Sequence, residues 1–455
     1  MKRKRMRFSL LLILALAMLM LFSACGKDKD ETEESDSASQ IAQIAEQEKE
    51  KKEKEEQAKF DQALKTADEL ADTYDYDAAI ATLMGYDVNW QSNETLSSKI
   101  TSYEEERNNL VQIDPNTVPH IFFHSLIADT DRAFDGDYDS GGYNQYMVTV
   151  EEFETILEQM YNNGWVLVSI YDVAPLVEFI DGTASYKPGR IMLPEGKKAF
   201  VMSQDDVNYY EYMTDSDNDH IADQYSDGFA TKLVIDENGH PTCEYITATG
   251  EVVTGNYDLV PVLEAFIEKH PDFSYRGARA ILGVTGYDGV LGYRTAEKYK
   301  DILGQEAWEK EVEEAKKVAE CLKAHGYQIC SHSFGHPSYG YISDASLAED
   351  CDKWERYVQP IVGDTDIILY PHGSDIAGVE AYSGTKFEIL YNAGYRYFCN
   401  VDSARYWIQI RDGYVRQGRR NIDGYRMYYN PEMLDDLFTT SQVFDSARPT
   451  PVPAI

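Results

Sequence analysis

Two aspartates stand side by side at Asp205 and Asp206, after the apolar run "AFVM". Two of the chain's nine histidines, His332 and His336, lie four apart in "YQICSHSFGHPSYG". Adjacent carboxylates at a strand end divide work, one ligating a metal while its neighbour holds a water. Imidazoles four apart in one turn face the same way, and with one carboxylate they form a facial set that leaves positions open for water. The bland readings are a capping aspartate with a solvated neighbour, and a hydrogen-bonded histidine pair. A third polar cluster, "PHGSD" after "IILY", repeats the placement. Three such clusters after three apolar runs favour metal chemistry.

The elements that must position them alternate. "HIFFHSLI", "WVLVSI", "KKAFVMSQDD", "ARAILGVTG", "YQIC", "DIILYPHG" and "YRYFCNV" read as buried strands. Between them run helical stripes, Phe153, Ile156, Leu157 and Met160 closed by Gly164, and Trp308, Val312, Ala315, Ala319 and Leu322 stopping near Gly326. Such alternation predicts an α/β fold, a largely parallel sheet or barrel with its active site at the carboxyl ends of the strands. Phe60, Leu64, Ala67, Ala71 and Tyr74, then Leu96, Ile100, Tyr103, Arg107 and Leu110, follow helical spacing, and "YDYDAAIATLMGY" between them resembles part of a tetratricopeptide-type hairpin, so residues 60–112 read as a small helical hairpin module. Residues 26–59 are charged and small polar, a linker or a solvated single helix.

The first 25 residues read as a leader. Lys2, Arg3, Lys4, Arg5 and Arg7 precede an apolar run from Leu10 to Phe22, too short to span a bilayer. "LFSAC" resembles a bacterial lipobox, which makes Cys25 the expected lipidation site. The alternative is an ordinary cleaved signal. The expectation is export and anchoring to the outer face of the cell membrane, which needs more than one acyl chain to hold. With a net charge of −37 over 455 residues and 43% hydrophobic content, the chain buries a full core and repels nucleic acid. A neutral or cationic polymer suits it as partner. Five cysteines beyond Cys25, scattered and odd in number, give no disulfide or metal framework and read as buried thiols.

"SQDDV" (203–207), "HSFGH" (332–336) and "YPHG" (370–373) resemble the three leading motifs of the polysaccharide deacetylases, carbohydrate esterase family 4 with its NodB-homology domain. The similarity covers residues 117–445, leaving 446–455 as a C-terminal tail. It is nearest the poly-N-acetylglucosamine deacetylase branch. The resemblance implies a distorted (β/α) barrel and a metal-dependent hydrolase acting on acetamide groups of N-acetylhexosamine in peptidoglycan or a related glycan. Asp206, His332 and His336 would bind a divalent transition ion, zinc or else cobalt or nickel. Asp205 would be the general base, and the His372 N–H would stabilise the oxyanion. No histidine follows His372, so the family's C-terminal acid motif is absent. "FFHSL" resembles its counterpart in the branch named above, making His124 the candidate acid, a residue that otherwise merely ends a strand. His372 is the reserve. Gln204 and Val207 replace the motif's Phe and Gly, and Leu369 stands where many members carry the arginine that orients the base. "RQGRRNIDG" offers a substitute, Arg419 or Arg420, or else solvated cations.

Residues 208–275 read as an insertion. Within it Asp215, Asp217, Asp219 and Asp223 alternate as in calcium loops, against a solvated acidic turn. Tyrosines are abundant, 34 in all, and "VNYYEYM" follows the aspartates directly, as sugar-stacking rings or core caps. An O-acetyl esterase on xylan is the enzymatic alternative. A glycan-binding lipoprotein without turnover and a calcium-dependent scaffold are the non-catalytic ones.

Overall fold

The computed structural model of the protein describes residues 31–217, 219–402 and 404–455. The expected leader and Cys25 fall outside them. The chain divides into two units, residues 1–65 and 66–455. In the first, the charged stretch is helical, part of α1 (Glu31–Asp72), and every residue from 42 to 59 is exposed. Its composition leaves no apolar face to bury. Among the described residues no helix is long and apolar enough to cross a membrane.

The second unit begins with the end of α1, followed by α2 (Tyr76–Tyr86) and α3 (Glu94–Asn108). The Asp75 carboxylate accepts the Ala78 N–H, and Asn93 accepts those of Thr95 and Leu96, so both helices start on side-chain caps. Of the residues at helical spacing, Ala67, Ala71, Tyr74, Leu96, Ile100 and Tyr103 are buried, whereas Phe60, Leu64 and Leu110 are half-buried.

A closed barrel follows. Its seven strands are β1 (His120–Phe123), β2 (Lys198–Gln204), β3 (Ile281–Val284), β4 (Gln328–Ser331), β5 (Ile367–Leu369), β6 (Tyr397–Val401) and β7 (Val415–Asn421). They are parallel and neighbour one another in chain order, and the Arg419↔His120 register closes β7 onto β1. The strand Trp165–Leu167 flanks the start of β2, and Ile408–Ile410 runs antiparallel on β7. Parallel strands need long return connections. These are α4 (Val150–Asn162), α5 (Leu259–Lys269), α6 (Gln305–Ala324), α7 (Asp344–Tyr357) and α8 (Thr385–Asn392). α4 opens on a capping box between Thr149 and Glu152 and buries Phe153, Ile156, Leu157 and Met160. The long β2–β3 connection carries a three-stranded antiparallel sheet (Lys232–Ile235, Pro241–Ile246, Val252–Gly255) before α5.

The period of two sorts the side chains. On β2, Phe200 and Met202 join the core outside the barrel, so Val201, Ser203 and Asp205 turn inward. The last ten residues also pack. Arg448 makes a fully buried ion pair with Glu152 at 2.6 Å, and Val452 is buried.

Candidate metal centre

The sheet ends bring Asp206, His332 and His336 together, with ligand atoms all within 4.8 Å of one another. His332 Nε2 and His336 Nε2 are 3.1 Å apart. Asp206 Oδ2 lies 3.9 Å from the first and 3.8 Å from the second. Bonds of about 2.0–2.1 Å from a central ion place tetrahedral ligands roughly 3.3 Å apart, so the triangle fits a divalent transition ion after small closure. The chemistry of the donors agrees. The His332 Nδ1–H donates to the Leu369 carbonyl at 2.8 Å, which leaves the Nε2 lone pair facing its neighbours. Burial holds His336 below the usual imidazole range, the neutral form a metal needs, although Asp206 opposes the shift.

Backbone geometry makes this convergence. β2 delivers Asp205 inward, and Asp206 adopts a left-handed conformation (φ 58°) that turns its carboxylate into the same mouth. Ser333 (φ 66°) and His336 (φ 56°) do likewise after β4. Such conformations are costly for residues with a Cβ and persist where their surroundings enforce them. Ser333 Oγ accepts the His336 N–H at 2.8 Å. The Asp350 carboxylate on α7 accepts the N–H groups of Phe334 and Gly335 and the Tyr339 hydroxyl, at 2.8, 2.9 and 2.7 Å. The Tyr210 hydroxyl donates to Asp206 Oδ1 at 2.6 Å and is held in turn by Thr285. At Gly283 a Cβ would sit 3.0 Å from Leu369 and 3.4 Å from His332, so a larger residue would press on the strand ends that carry the site.

Asp205 and Arg419 form a buried pair, 4% and 0% exposed, with Nη1 2.5 Å from Oδ1. Burial raises the Asp205 carboxyl, but the Arg419 charge, then His332 and the Arg419 hydrogen bond, outweigh it and leave the group well below the usual range. Asp205 Oδ2 is 3.9 Å from His332 Nε2, so the ionised carboxylate borders the donor set without joining it. Of the two arginines expected near the base, Arg420 is placed elsewhere. It points outward one residue on and binds Asp436 at 2.6 Å. The Arg419↔His120 register turns Arg419 into the barrel, and strand alternation turns its neighbour out. The Gln204 substitution also has its partner. Its amide donates to both oxygens of Asp258, a fully buried carboxylate at the head of α5 that also takes the Tyr209 hydroxyl and the Leu126 N–H.

The His124 Nδ1–H donates to the Tyr146 carbonyl at 2.9 Å, and the ring is close enough to help lower the carboxyls of Asp205, Asp206 and the buried Asp423. His372 is exposed. Its ring meets His336 edge-on at 4.3 Å, and its Nε2–H donates to the His336 carbonyl at 3.2 Å. The expected calcium set is not gathered whole. Asp215, Asp217 and Asp223 converge, whereas Asp219 accepts the Ile221 N–H. Two further carboxylate groups stand nearby, Glu211–Asp215–His220 and Asp137–Asp139–Asp227. Sequence reading missed Tyr210 as a partner of Asp206, and it missed Asp350 and Asp258 altogether. No local signal marks the last two, because each acts across a connection.

The fold and site define a seven-stranded parallel (β/α) barrel with a two-histidine, one-carboxylate centre in its mouth. No protein-family model and no curated protein matches the sequence. Among solved structures, the chain is similar to the Streptococcus pyogenes deacetylase PplD in complex with acetate. The TM-score is 0.36 and the identity 14%, over 72% of this chain and 99% of that one.

Proposed function

We propose that the protein is a metal-dependent polysaccharide N-deacetylase that hydrolyses acetamide groups of N-acetylhexosamine residues in peptidoglycan or a related cell-surface glycan. The observation that carries the reading is the joint placement of the Asp206–His332–His336 donors and an ionised Asp205 locked by Arg419. An acetamide resists water, and a bound zinc or similar ion supplies polarisation of its carbonyl and acidification of water. The remaining work falls to the chain. Asp205 accepts the proton of the attacking water, and Arg419 keeps it ionised and aimed. The His372 N–H donates to the carbonyl oxygen as negative charge grows there. His124, oriented by the Tyr146 carbonyl, delivers a proton to the leaving nitrogen. In the same reading, Cys25 carries the lipid that holds the protein at the outer face of the cell membrane, beside its polymer.

The test is acetate release from N-acetylglucosamine oligomers and peptidoglycan, after chelation and after return of Zn²⁺ or Co²⁺, with Asp205→Asn alongside. Release restored by metal and lost in the variant is the expected result. Tight metal binding with no release from any acetylated glycan would overturn hydrolysis and leave a glycan-binding protein.

A further inference from the structure

The loop after β2 and the loop after β3 each present a tyrosine beside the metal donors, and both rest on one buried ring. Tyr210 is 4% exposed, and its hydroxyl is fixed on Asp206. Tyr212 stacks on it with centroids 5.8 Å apart and planes 15° apart. Tyr287 does the same at 5.1 Å and 12°. Yet Tyr212 is 54% and Tyr287 39% exposed, so each leaves apolar ring surface in water. The rings are rigidly carried. The Tyr287 N–H donates to the Phe334 carbonyl in the histidine loop, and the Glu211 N–H, next to Tyr212, donates to Asp288.

Flat, preorganised tyrosines cost little entropy on binding and offer a face to the C–H groups of a pyranose ring. Near Tyr212, the half-buried Asp139 offers a carboxylate that can accept a sugar hydroxyl hydrogen. We propose that Tyr212 and Tyr287 form a sugar-stacking subsite that takes the ring next to the one whose acetamide sits at the metal donors, so the protein acts on chains rather than single sugars. This rests on the deacetylase reading for the identity of the glycan.

The test measures binding apart from turnover. N-acetylglucosamine and its pentamer are titrated by calorimetry into the full-length chain kept under chelator. The pentamer should bind at least about tenfold tighter than the monomer. Tyr212→Ala and Tyr287→Ala should each weaken the pentamer about three- to tenfold and leave the monomer unchanged. Tyr287→Leu, which keeps apolar bulk but removes the flat face, should weaken it similarly, and Tyr287→Phe should stay within about twofold. Equal affinity for pentamer and monomer, no binding of either, or alanine and leucine variants that bind as wild type would each overturn the subsite. Tyrosine-dependent pentamer binding without acetate release from any glycan would uphold the subsite and sink the deacetylase reading. Acetate release with binding indifferent to both tyrosines would do the reverse.

Discussion

Replacing Arg419 by Gln separates its role at the base from its role as a buried group. The guanidinium is 0% exposed and Asp205 4%, so solvent does not screen their contact at 2.5 Å. Removing one partner of such a pair leaves an uncompensated buried charge, at a cost of about 3–5 kcal/mol. For a unit spanning residues 66–455, an unfolding entropy of roughly 2.1 cal/mol/K per residue turns that into a fall in Tm of about 4–6 °C. The wild-type pair should contribute fully above the ordinary aspartate value of 3.8 and lose its contribution as pH falls toward the depressed native value. The difference in Tm between wild type and variant should therefore shrink below about pH 4. In the variant, burial raises the Asp205 carboxyl and only His332 and weaker charges resist, so the acid limb of kcat/KM should move to higher pH. Arg420→Gln is the control. It breaks a comparably buried pair with Asp436 and should lower Tm without moving the acid limb. An Arg419→Gln protein with an unchanged acid limb and a Tm within about 1 °C of wild type would refute the assignment.

Three further outcomes follow from groups the reaction never touches. Asp350→Ala removes the acceptor of two loop N–H groups and the Tyr339 hydroxyl, and should weaken Zn²⁺ about 10- to 100-fold in competition with a chromophoric chelator, whereas Asp205→Asn should not. Asp258→Ala strands the Gln204 amide, the Tyr209 hydroxyl and the Leu126 N–H, and should cost about 3–5 kcal/mol in urea unfolding; Gln204→Leu with Asp258→Leu should recover part of it. Burial, with neighbouring Asp137 and Asp139, pushes Asp227 up to about 6, so its native state favours the neutral carboxyl. That contribution is full below about pH 4 and lost as pH rises through 6, and Asp227→Asn should flatten this part of the curve of Tm against pH.

The barrel was legible because its strands are short apolar runs with polar clusters at one end, and parallel strands must all present that end together. The histidine pair was legible for the same local reason. What decided between Arg419 and Arg420 was the register of β7 on β1, a long-range quantity to which both residues in "RQGRRNIDG" are equally compatible. The acidic loop shows the converse. Its four aspartates alternate in sequence, but each carboxylate takes a backbone N–H of the same loop, and that folding brings Asp215, Asp217 and Asp223 together without Asp219. Asp350 acts fourteen positions beyond His336 in sequence, from a separate helix, and helical spacing alone reads it as an ordinary residue of an amphipathic face.

That helix also explains how the centre affords its geometry. Asp206, Ser333, His336 and His372 all hold left-handed conformations, each unfavourable by about 1–2 kcal/mol for a residue with a Cβ. A loop of such residues left to itself would relax and scatter its imidazoles. The Asp350 carboxylate, Ser333 Oγ and the Leu369 carbonyl oppose relaxation at successive points of the histidine loop, while Tyr210 fixes Asp206. The strain is therefore carried by groups that hydrogen-bond the loop backbone and the far side of the donor residues, leaving the facing Oδ2 and Nε2 atoms to the ion. His336 Nε2 stands within 3.1 Å of His332 Nε2 because the folding free energy of the barrel and α7 holds it there. An incoming ion then meets donors already arranged, and its binding energy need not be spent on building them.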